Sequence, residues 1–213
     1  MFTYHLPKRA SAFAAATLLT AGSAIGVTLA TGADATVKST SFDMVRSAAS
    51  VKANCLSGAQ AHVTIHSKGP VEVMKVSADH LPPRTDFDLF VIQVPNAPFG
   101  VSWYQGDLQS DDDGHAHGEF IGRFSIETFT VAPGSAPAPV VFNNAFPDAS
   151  SNPPFNPIQM YHLGLWFNSP KDAVAAGCAG AVTPFNGPHN AGVQALSTRD
   201  APDQAGPLRK IQP

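Results

Sequence analysis

Catalytic signatures are what this chain most conspicuously lacks. It has no G-x-S-x-G elbow, no P-loop and no H-E-x-x-H pair, so the common sequence marks of serine hydrolases, nucleotide-handling enzymes and zinc proteases are missing. Clustered Lys and Arg are missing too, and without a basic patch neither nucleic acid nor an anionic lipid surface fits as a partner. Cysteine is reduced to Cys55 and Cys178. Neither lies in a C-x-x-C pair, which argues against a redox or nucleophilic thiol. Long helices have little room, because 19 prolines and 17 glycines punctuate the 213 residues.

What is present begins with an export signal. Lys8 and Arg9 precede an uncharged run from Ala10 to Ala30, and Ala33, Asp34 and Ala35 form an A-x-A pattern. A basic start, an apolar stretch and small residues at a cleavage point predict a signal peptide over residues 1–35, cut after Ala35, and a secreted, extracellular protein with no membrane attachment after cleavage. A retained anchor is the alternative, since about 20 apolar residues span a bilayer. Of 13 basic and 16 acidic residues, removal of Lys8, Arg9 and Asp34 leaves 11 and 15, a net charge of −4. Residues 36–198 are long enough for a single domain with a core of its own, and residues 199–213 read as a flexible C-terminal tail. In an oxidising compartment Cys55 and Cys178 are expected to pair.

The apolar pattern has the period of strands. Ala61, Val63 and Ile65 alternate with His62, Thr64 and His66, and Gly69-Pro70 marks a turn before Val71–Ala78. Phe87 to Val94 is almost continuously apolar, as suits a strand covered on both faces, and Pro82, Pro83 and Pro95 bracket it. Gly118 to Val131, Ile158 to Phe167 and Val193 to Leu196 read as further strands. One short helix is predicted over Pro170 to Ala176, with Ser169 as N-cap and Gly177 as stop. Residues 132–139 and 143–157 read as long loops. The fold class predicted is mainly β: an antiparallel β-sandwich, Ig-like or related, with one short helix and long Pro/Asn-rich loops.

These residues carry a resemblance. GPVEVMKVSADHLPPRTDFDLFVIQVP, a short Asp/Gly hairpin, HGEFIGRFSIETFTVAP and the closing PFNGPHNAGVQALSTR resemble uncharacterised secreted β-sandwich proteins of high-GC Gram-positive bacteria. The element LPP-x-T-x-F feeding a buried strand is similar to one in other extracellular β-sandwich modules. The resemblance covers most of the chain beyond residue 35, and it implies secretion and fold but no activity and no functional residues.

The most chemically suggestive stretch is SDDDGHAHGEF, Ser110 to Phe120. If strands flank it, Asp113-Gly114 is a two-residue hairpin signal, with aspartates bonding nearby amides and Gly114 supplying positive φ. In the outgoing strand Phe120, Phe124 and Ile126 then face the core, while His115, His117, Glu119, Arg123 and Glu127 face outward. His115 and His117, at i and i+2, with Glu119, Asp111 or Asp113, form a candidate site for Zn²⁺ or Cu²⁺. A Ca²⁺ loop fits less well, because Gln109 and Phe120 stand where acidic ligands belong. A solvated turn accounts for the same residues with no cofactor.

Other candidates are dispersed. His62, His66, His80, His162 and His189 have no shared motif. Glu72, Asp88, Glu119 and Glu127 are carboxylates that a glycosidase would need in facing pairs. Trp103, Tyr104, Tyr161 and Trp166 suit either core packing or a sugar-stacking platform, and their apolar neighbours favour the core. The sequence therefore points away from an enzyme, toward a non-catalytic extracellular binding or structural module with an extracellular or cell-wall partner. A metal-binding protein built on the His/Asp hairpin and a polysaccharide-active hydrolase are the alternatives.

Overall fold

A computed structural model of the chain describes residues 38–124, 128–129, 158–178, 182–184 and 190–211. The expected signal peptide, the two long loops, Ile126, Glu127 and His189 lie outside these residues.

Eight antiparallel strands form one sheet. In chain order they are β1 (Ser39–Arg46), β2 (Gln60–Lys68), β3 (Val71–Asp79), β4 (Asp86–Ile92), β5 (Ser102–Gln109), β6 (Ala116–Gly122), β9 (His162–Phe167) and β12 (Gln194–Ser197). The short pairs β7 (Thr128–Phe129) with β8 (Ile158–Gln159), and β10 (Thr183–Pro184) with β11 (Asn190–Ala191), stand apart from it. The strand order is β5-β4-β9-β12-β1-β2-β3-β6. The fold is thus mainly β and antiparallel, as expected. Its two halves are continuous through β1, and the sheet curls until its edge strands β5 and β6 meet at the Ser110–Ala116 bridge. The result is a nearly closed, barrel-like sheet. Side chains help complete the closure: Phe120 on β6 lies so close over Gly106 on β5 that a Cβ there would stand 2.7 Å from its ring.

Alternation decides which side chains enter the barrel. Ala61, Val63 and Ile65 from β2 and Met74, Val76 and Ala78 from β3 are all buried, while His62 and His66 point out of the sheet and are exposed. Each buried Val, Ile or Met contributes about 1.5–3 kcal/mol relative to exposure. Strand β4 differs, with every residue after Asp86 buried. Phe87, Leu89 and Val91 enter the main core, whereas Phe90 and Ile92 join Trp166 and Ala191 in a second cluster on the opposite face. Continuous apolarity in FDLFVI therefore did mean a strand covered on both sides.

Two α-helices are present among the described residues, against the one expected. Helix α2 (Pro170–Ala175) has the predicted cap, the Ser169 hydroxyl accepting from the Asp172 amide at 3.1 Å. Helix α1 (Ala48–Lys52) has only five residues, too few to show a period in the sequence. Its Ser47 and Ser50 hydroxyls both donate to the carbonyl of Gln194 on β12. The disulfide Cys55–Cys178, with Cα atoms 5.3 Å apart, ties the segment after α1 to the segment after α2. Closing a loop over a separation of 123 residues is worth about 4–5 kcal/mol in the chain-entropy account.

The expected flexible tail is corrected. Residues 199–211 pack back on the sheet through a 3-10 turn at Pro207–Lys210, with Pro207, Leu208 and Ile211 buried. The Leu208 amide donates to the Tyr161 carbonyl at 3.2 Å. Beneath this strap the buried His162 donates from Nε2 to the Asp203 carbonyl at 3.1 Å, which leaves Nδ1 to accept from the Thr198 hydroxyl at 2.9 Å. The polar composition of RDAPDQAGPLRKIQP hides three apolar anchors that bury enough surface to hold it. The strand expected over Ile158–Phe167 is also broken, since Met160 and Tyr161 separate β8 from β9.

Candidate functional site

The acidic hairpin serves as a latch. Asp111 Oδ1 accepts from the Asp113 amide at 2.9 Å and the His115 amide at 2.8 Å, and the Asp111 amide donates to the His115 carbonyl at 2.8 Å. The loop is therefore closed by Asp111 and His115 around three residues, not by the two-residue turn expected at Asp113-Gly114. Those amide hydrogen bonds, first that of His115, hold the Asp111 carboxyl below its ordinary range. Gly114 is required twice: its φ is +81°, and a Cβ would lie 2.3 Å from the Leu81 carbonyl oxygen. The turn is bound to the LPPRT segment by Leu81 N to Gly114 O at 3.0 Å, Arg84 N to Asp111 O at 3.1 Å and the buried Ser110 hydroxyl to Pro82 O at 2.6 Å. Arg84 and Asp112 add an exposed ion pair at 2.8 Å.

Most of the hairpin's candidate ligands are engaged elsewhere. Asp111 is committed to backbone amides, Asp112 to Arg84, Glu119 to Lys75 at 3.3 Å, and His115 Nδ1 to Asp79 at 2.7 Å. Among the described residues no three of His, Cys, Asp and Glu are placed to hold one ion, so His115, His117, Glu119, Asp111 and Asp113 do not assemble a centre. His117 and Glu119 on β6 and His115 just before it are exposed, as expected, and Ala116 and Phe124 are buried.

Strand register brings together residues that sequence spacing could not. Asp43 on β1 pairs with His62 on β2, His62 with Ser77 on β3, and Ser77 with His117 on β6. Asp43, His62, Ser77 and His117 thus form one transverse row on the outer face, with His115 and Asp79 beside it. Asp43 Oδ1 lies 2.7 Å from His62 Nδ1. His62, Thr64, Lys75, Ser77, His117 and Glu119 line a shallow, solvent-open depression of about 410 Å³. The Asp79 carboxylate holds His115 above its ordinary imidazole value, with Asp111 and Asp113 adding to the effect.

Asp43, His62 and Ser77 have the residue types and order of a catalytic triad, but the sheet denies them its chemistry. Ser77 lies on a strand paired on both sides, so nearby amides are engaged in ladders and none is free to stabilise an oxyanion. No side-chain hydrogen bond joins Ser77 to His62 among the described residues.

The other half of the sheet separates the remaining candidates. Glu72 is buried on β3 and Asp88 on β4, while Glu119 is exposed on β6. Register instead sets Asp88 beside Asp107 on β5. The Tyr104 hydroxyl donates to Asp107 at 2.5 Å. Burial first, then that hydrogen bond and the charges of Asp107 and Asp88, push the Tyr104 phenol up to about 12. Trp166 is 2% exposed, Trp103 54% and Tyr104 50%, so the four aromatics divide between core and surface. Trp103 and Tyr104 are consecutive on a strand and point to opposite sides, which prevents a joint stacking platform.

Compared with protein-family models and with curated proteins, the chain matches none.

Proposed function

We propose that the chain is a secreted protein of the kind its sequence resembles, a non-catalytic binding module of the extracellular or cell-wall space. Its binding surface is the outer face of β1, β2, β3 and β6. One observation carries this: the row Asp43–His62–Ser77–His117 presents ligand-seeking groups around an open depression, on strands whose amides are consumed by pairing. Such a surface can bind but has no preorganised donors for a transition state. The Cys55–Cys178 bond supports an oxidising compartment. Among the described residues no helix is long and apolar enough to cross a membrane.

A hydrolase reading would draw on Asp88 and Asp107. Asp88 is 4% exposed while Asp107 is open to solvent, so only one carboxylate of the pair is presented to a glycan, and the reaction needs two.

Sedimentation of residues 36–213 with isolated cell-wall polymers tests the proposal. Ser77→Trp, which fills the depression, should abolish co-sedimentation, and Val174→Ser on α2 should leave it intact. Binding indifferent to Ser77→Trp would remove this face from consideration, and release of reducing ends during incubation would replace the binding module with a hydrolase.

A further inference from the structure

We infer that His62 and His117 together bind a divalent transition-metal ion, Cu²⁺ more tightly than Zn²⁺, in a two-imidazole site open to solvent above Ser77. The inference rests on the outer face being a binding surface and names its ligand class.

Cross-strand register fixes the frame. His62 and His117 flank Ser77 in one row, so their Cα atoms are about 10 Å apart, two interstrand spacings. Serine between them leaves a gap, and both rings line the same depression of about 410 Å³. Two imidazoles leaning across a small residue can converge on one ion, with water completing the coordination.

The surroundings favour ligation. Asp43 Oδ1 at 2.7 Å from His62 Nδ1 places the ring proton on Nδ1 and turns the Nε2 lone pair outward, the carboxylate–histidine arrangement that orients metal-binding imidazoles. The His117 side chain has no hydrogen-bond partner among the described residues, so its ring turns without breaking a hydrogen bond. Lys75 and Glu119 offset each other at 3.3 Å, and the Asp43 carboxylate on His62 adds a negative charge behind that ring, which suits a dication. Nitrogen donors with an open coordination sphere favour Cu²⁺ over Zn²⁺ in the general affinity order.

This site differs from the hairpin set, in which His115 Nδ1 is held by Asp79. It uses two protein ligands, consistent with the absence of any three-residue cluster among the described residues.

The test is titration of untagged residues 36–213 with Cu²⁺ and Zn²⁺ by calorimetry, with electron paramagnetic resonance of the Cu²⁺ complex. One ion should bind, with couplings from imidazole nitrogen. His62→Ala and His117→Ala should each weaken it about tenfold or more, and Asp43→Asn by about 10–100-fold. His115→Ala should leave it unchanged. Circular dichroism melts matching the parent would show that the variants fold, and a variant that does not is replaced by His62→Gln or His117→Gln. Affinity equal in parent and His62→Ala, or lost on His115→Ala, overturns the inference. If no metal binds while wall polymers still bind in a Ser77-dependent way, the metal assignment falls and the binding face stands. If neither binds, both fall.

Discussion

The two halves of the sheet obey the same alternation and end with opposite outer surfaces. On β1, β2, β3 and β6 the outward residues include His62, His66, Lys75, His117 and Glu119, open to solvent. On β4, β9 and β12 they include Phe90, Ile92, Trp166 and Gln194, all buried. Phe99 and Phe90 meet Trp166 edge-on, with centroids 5.0 and 5.4 Å away. One face is finished by water and the other by a second core. A sheet face becomes available for binding where its outward residues do not need covering, and the sequence marks the difference as alternation in AHVTIH against continuity in FDLFVI.

The comparison is broken most directly on the covered side. Trp166→Ala should destabilise by about 3–5 kcal/mol, as expected for deleting a large buried aromatic ring. Urea unfolding measures it, and a loss under about 1 kcal/mol would mean the second cluster is not a core.

At the junction between the halves, Gly114→Val should cost about 2–3 kcal/mol. Positive φ resists a β-branched residue, and the new Cβ would meet the Leu81 carbonyl, so the LPPRT latch must shift. Gly114→Ala should recover only part of the loss, because its Cβ meets the same oxygen. A neutral Gly114→Val would show that the latch is loose.

How much of this was legible follows from the range of the interactions. Local signals gave the β2 alternation, the doubly covered β4 and the Ser169 cap of α2, because each is written within a few residues. The Cys55–Cys178 bond was legible by elimination, there being no other partner for either cysteine. The row Asp43–His62–Ser77–His117 was not, since it requires the register of four strands, and residues 43 and 117 share no local pattern. Asp88 beside Asp107 was hidden for the same reason. The strap over residues 199–211 was misread because three apolar anchors are diluted among polar residues. The hairpin was read correctly as a turn, but its loop length was not, because the side chain of Asp111 sets the closure.

Protonation sharpens the contrast further. Burial holds the His162 imidazole below its ordinary value. As pH falls below about 6.5, the unfolded chain takes up a proton that the folded chain refuses, so this contribution to stability is full above that pH and is lost toward the lower folded value. Urea unfolding of the parent at pH 7.5 and 5.5 should show the loss, and His162→Gln should show less of it. An equal pH slope in both proteins would remove His162 as the cause.

The smallest effect is expected on the open face, and its sign is the reverse. Asp79 holds His115 above its ordinary value; the associated stability is present below about pH 6.5 and fades as pH rises through the folded value. Both histidines are exposed, and surface substitutions usually stay within about ±0.5 kcal/mol, so His115→Ala combined with His117→Ala should barely move the unfolding midpoint in metal-free buffer. What change there is should be greater at pH 5.5 than at pH 8, and should be reproduced by Asp79→Asn. A loss above about 1.5 kcal/mol at pH 8 would mean that these imidazoles support the fold as neutral groups. The outer face of β1, β2, β3 and β6 would then be a second structural surface, and the difference between the two halves on which its proposed binding role rests would disappear.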